Sequence, residues 1–62
     1  MEIKDVKVGD FIYDSLLIYQ PIYRVIEMSR RYKFLTIENI AKPIDKQILD
    51  FDELEHWRKV RM

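Results

Sequence analysis

Four short runs of β-branched and aromatic residues dominate this chain: "FIYD", "PIYRVIEM", "YKFLTIENI" and "QILDF". Residues of this kind fit a pleated, half-buried surface, so the chain reads as mainly β. In the third run Phe34, Thr36 and Glu38 alternate with Leu35, Ile37 and Asn39. That period of two turns Leu35 and Ile37 towards a core. The second run breaks the alternation, because Val25 and Ile26 are adjacent. A strand with apolar residues on both faces is either sandwiched or strongly bent, as strands of small barrels are.

The segments between the runs are equally informative. "SRRYK" lacks the Asn-Gly or Asp-Gly of a two-residue hairpin, which predicts a longer loop. In "AKPIDK", Pro43 presets its own φ for the second position of a turn and cannot donate to a sheet ladder. The single glycine lies in "VKVGDFIYD". Glycine takes positive φ without strain, and aspartate tolerates turns, so Gly9-Asp10 is expected to make a bend with Val8 and Ile12 facing the core on either side. In "DFDELEHW", Phe51, Leu54 and Trp57 recur every three residues, the spacing of one face of a tight helical turn. Asp50 with Glu53, or Asp52 with Glu55, supplies a capping box, and the acids precede the bases as the helix dipole favours. "RKVRM" then closes the chain as a last strand with Val60 inward.

At 62 residues the chain is one domain, residues 1–62, near the lower size limit for an unstapled fold. Cysteine is absent, so neither a disulfide framework nor a thiolate zinc site is available. Tight packing or self-association must stabilise it instead, and a homodimer fits that need. The opening "MEIKDVKVGD" carries acids and no apolar signal-peptide core, and the longest apolar run, residues 16–19, is far too short to span a bilayer. These features point to a cytoplasmic protein with no membrane partner. Eleven basic and eleven acidic residues cancel, which removes the overall charge that drives nonspecific nucleic-acid binding.

Five short strands with a helical turn before the last is the element order of an SH3-like barrel. The stretches "VKVGDFIYD", "YRVIEM", "FLTIENI" and "DFDELEHWRKV" carry that order over essentially the whole chain. On them the chain resembles the SH3-like small β-barrel superfamily, of the KOW or Tudor type or the small phage-encoded barrels, which share a hydrophobic-x-x-Gly-Asp-x-hydrophobic entry. The resemblance implies a mainly β, five-stranded barrel with a short 3₁₀ or α turn before the last strand. It does not extend to proline-peptide-binding SH3 domains, because their groove tryptophan and their Ser-Asn-Tyr stretch have no counterparts here.

Catalytic chemistry finds little support in the residues. His56 is the only histidine, Ser15 sits in no nucleophile elbow, and Asp10 beside the one glycine repels phosphate. Neither a metal nor a cofactor is expected. The tyrosines and the first loop are better candidates. Leu16, Leu17 and Ile18 cannot all tuck under a small barrel: either they cap one end of the core, or some form a partner-binding or dimer patch, and with Tyr19 and Tyr23 they make a candidate protein interface. The expected function is a non-enzymatic protein-interaction module, in the setting of a small phage or mobile-element protein that binds a host protein. The alternative, ranked lower, is a nucleic-acid-binding barrel. There Arg30, Arg31, Lys33, Arg58, Lys59 and Arg61 contact phosphates and Tyr32 stacks a base.

Overall fold

The β-forming runs become strands in the order of the sequence. The computed structural model describes residues 1–60. After a short 3₁₀ segment, η1 (Ile3–Asp5), come β1 (Phe11–Asp14), β2 (Ile22–Ser29), β3 (Phe34–Asn39) and β4 (Lys46–Asp50). A second 3₁₀ helix, η2 (Phe51–His56), leads directly into β5 (Trp57–Lys59). All strand pairs are antiparallel, in a single sheet of order β4-β3-β2-β1-β5. β4 and β5 are therefore its two edges. Among the described residues they do not pair with each other, and η2 spans the opening between them.

The adjacent Val25 and Ile26 mark a β-bulge. Val25 pairs with Ile37 and Glu27 with Thr36, so Ile26 has no partner across the ladder. One extra residue bends the strand and resets which side chains face inward. Val25 and Met28 thus both face the core although they are an odd number of positions, three, apart.

The core is lined by Val6, Ile12, Tyr23, Val25, Leu35, Ile37, Leu49, Leu54 and Trp57. Each fully buried Ile or Leu among them contributes roughly 1.5–3 kcal/mol. Leu35 and Ile37 are inward as the alternation requires. Within η2, Leu54 and Trp57 are buried and Phe51 packs against the cluster, so the three-residue spacing does mark one face. Asp50 is the N-cap, and its N–H donates to Glu53 Oε2 at 3.3 Å.

The turns follow their residue chemistry. Gly9 has φ +99°, and Asp10 N–H closes the turn on the Lys7 carbonyl at 3.1 Å. Residues 30–33 form a four-residue hairpin loop in which Ser29 Oγ accepts from Tyr32 N–H and Lys33 takes φ 57°. Asp45 N–H donates to Lys42 O at 2.8 Å, which puts Pro43 at the second turn position.

Two inward assignments are corrected. Val8 is 58% exposed, and Val6 takes the core position instead. η1 is the cause: Val6 N–H closes it on Ile3 O, which directs Val6 inward and leaves Val8 on the outside of the Gly9 turn. Val60 lies beyond the end of β5 and is half-buried, tied by its N–H to Phe11 O.

Candidate functional site

Loop 15–21, which joins β1 to β2, is pinned at its base. Asp14 Oδ1 accepts from Leu16 N–H at 2.9 Å, and the Asp14 carbonyl accepts from Leu17 N–H. Ser15 donates both its N–H and its hydroxyl to the carbonyl of His56, the last residue of η2. Above this base the apolar side chains find no cover. Leu16 and Leu17 are exposed, and Ile18 and Tyr19 are 93% and 94% exposed. Gln20, at φ 43°, then turns the chain back towards β2.

Beside the loop base lies a cleft of about 500 Å³, in the opening between β4 and β5. Buried Leu49 and Trp57 supply its apolar lining, and Asp14, Asp52, Glu53, His56 and Gln47 complete it. Three carboxylates around an apolar floor favour a cationic or hydrogen-bond-donating partner group. The Ser15 hydroxyl donates to the backbone carbonyl of His56 and not to a side-chain base. Among the described residues, no three His, Cys, Asp or Glu side chains gather as metal ligands would, and no helix is long and apolar enough to cross a membrane.

Tyr23 does not belong with the loop, and its place in the candidate interface is corrected. It is buried, its ring packs edge-on against Trp57 at 5.6 Å, and its hydroxyl accepts from Gln47 Nε2 at 3.0 Å. Burial, reinforced by the negative charge of Asp45, raises its pKa above the ordinary phenol value. Its inward direction follows from the register, in which Tyr23 opposes Ile12 and Asn39.

The basic residues fall into two separate groups. Arg30, Arg31, Tyr32 and Lys33 form the β2–β3 loop, where the Arg31 guanidinium lies 5.5 Å from the Tyr32 ring centre. That loop meets the start of η2 through Phe51 N–H and Lys33 O, and Tyr32 and Lys33 share a shallow groove with Asp50 and Asp52. Arg58 and Lys59 follow the other end of η2 and are engaged locally. Arg58 Nη1 donates to the Glu55 and Trp57 carbonyls, while Lys59 Nζ donates to Asp5 O and sits 3.4 Å from Asp10 Oδ2. Arg61 lies outside the described residues.

The cleft residues were not singled out by sequence reasoning, which assigned Asp50, Asp52, Glu53 and Glu55 to capping and dipole roles. A usable signal was nonetheless present. If Phe51, Leu54 and Trp57 face inward, Asp52, Glu53 and His56 must line the outside of the same turn. Comparison of the chain with protein-family models, curated proteins and solved structures gives no match.

Proposed function

We propose that this protein is a non-enzymatic interaction module that binds another protein through loop 15–21 and the acidic cleft beside it. One observation carries the reading: Ile18 and Tyr19 are almost wholly exposed on a loop whose base is fixed by four hydrogen bonds. Holding large apolar side chains in water on an anchored loop has no structural benefit, whereas burial against a partner recovers roughly 25 cal/mol per Å² of apolar area. Aromatic anchors of this type dominate many interfaces.

The finer reading of the fold is an SH3-like barrel of the KOW, Tudor or small phage-encoded kind. The 3₁₀ turn between β4 and β5, the strand order and the bulge in β2 support it. A small phage or mobile-element protein acting on a host protein in the cytoplasm completes the proposal. Capture from bacterial lysate by immobilised wild type and by Ile18→Asp tests it. The wild type should enrich a protein that the variant loses while keeping its melting temperature. Identical recoveries would refute the interface.

A second reading, nucleic-acid binding through the β2–β3 loop, is favoured by the exposed Tyr32 ring beside the Arg31 guanidinium. It requires anisotropy of a labelled single strand to rise at low salt and fall steeply as salt is added.

A further inference from the structure

The β4 edge is self-complementary, and its geometry can be read from the β3–β4 register. Asn39 N–H bonds Asp45 O, and Phe51 N–H bonds Lys33 O. Pairs in this ladder that hydrogen-bond alternate with pairs that do not. Ile37 with Gln47 and Leu35 with Leu49 therefore hold their backbone groups inside the sheet. The N–H and C=O groups of Lys46 and Ile48 point out from the edge. Ile48 is 68% exposed, and its side chain shares the outer face with those of Lys46 and Asp50.

We propose that a second copy of this chain docks on this edge, β4 against β4, antiparallel about a two-fold axis through Ile48. In that register Ile48 exchanges both backbone hydrogen bonds with the partner's Ile48. Lys46 then faces the partner's Asp50, and Asp50 faces the partner's Lys46, so both charged cross-strand pairs are of opposite sign. The sequence "KQILD" thus reads correctly against itself in reverse. Shifting the register by two residues in either direction pairs Ile48 with a charged residue instead, which fixes the alignment. Among the described residues Lys46 Nζ is held by Pro43 O and, at 4.0 Å, by Glu38, so it can turn to a new partner. The Asp50 N–H is already shared with Glu53 Oε2, and that end of the ladder is accordingly the weaker one. Loop 15–21 is not needed for this contact, whereas the cleft, lined by Gln47 and Leu49 of the same strand, borders it.

Sedimentation velocity across a concentration series tests the proposal with charge-swapped variants. Wild type should shift from monomer to dimer as concentration rises. Lys46→Glu alone and Asp50→Lys alone each place like charges in both cross-strand pairs and should dissociate about tenfold or more easily. Mixed in equal amounts they should dimerise again. The glutamate introduced in one chain then faces the lysine introduced in the other, and the remaining Asp50 faces the remaining Lys46. Ile48→Lys, which leaves the η2 cap untouched, should be monomeric throughout with an unchanged circular dichroism spectrum. A wild type that stays monomeric at every concentration would overturn the proposal. So would an Ile48→Lys variant that sediments like wild type, or folded single variants whose mixture does not recover the dimer.

Discussion

The two edges of the sheet face the same problem and meet it differently. β5 is three residues long, and its two cations are engaged by nearby groups. Arg58 folds onto the Trp57 carbonyl, and Lys59 reaches to Asp5 O and Asp10. Short strands and lysines are devices that discourage another strand from adding. β4 has five residues, an exposed isoleucine at its centre, and no side chain folded across Ile48 among the described residues. Two edges of one sheet thus have opposite consequences, depending on what the neighbouring groups do. One edge is closed to strand addition; the other is matched to a copy of itself.

η2 connects the two edges, so its core side chain should have the largest effect on both. Leu54→Ala is expected to cost about 2–5 kcal/mol. A 62-residue domain holds only about 3–9 kcal/mol in total. Urea denaturation should therefore show most or all stability lost. Hydrogen exchange that stays protected in β3 and β4 while β5 opens would sharpen the comparison, because it would make β5 the edge that depends on η2.

Gly9 comes next. A Cβ there would meet nothing within 4 Å, so the cost of Gly9→Val is that of the backbone alone at φ +99°. We expect about 1–3 kcal/mol by thermal melting, with Gly9→Asn costing less. The turn also places Asp10, whose carboxylate accepts from Lys7 N–H and holds Lys59 over the β5 edge. An unchanged melting temperature would break the link between this turn and that edge.

Tyr23→Phe should have the smallest effect. It removes the hydroxyl that accepts from Gln47 of β4, at a cost of about 1 kcal/mol. The raised pKa means that the folded state holds the phenol proton more tightly than the unfolded chain does. That contribution is complete below the ordinary value of 10.0 and is lost as pH rises from there through the folded value. The variant should lack this part of the alkaline decline in urea stability. A parallel decline in both proteins would separate β4 from the protonation of Tyr23.

What the sequence made legible was local. The alternation at Leu35 and Ile37, the three-residue spacing of η2 and the turn residues Gly9 and Pro43 each depend on a few neighbours, and each appears where its chemistry puts it. Val6 and Val8 flank the same short stretch, and only the path set by η1 decides which is buried. Tyr19 and Tyr23 are four residues apart and equivalent in composition, yet one lies in solvent and the other against Trp57. Their difference arises from pairing between strands distant in sequence. The opening between β4 and β5, and the cleft inside it, arise in the same way. No local pattern encodes where a sheet ends.

The unpaired Ile26 has a consequence for how this chain tolerates changes in length. Deleting a residue inside a regular strand inverts every later side chain, because the strand alternates with period two. Here the inversion has already occurred: Val25 and Met28 share one face across an odd interval. Removing Ile26 would leave the inward and outward assignments on both sides intact and straighten the strand. The altered property would be curvature, and with it the distance between the two edges. A single-residue deletion at this point would act on the shape of the molecule while its core lining stayed the same.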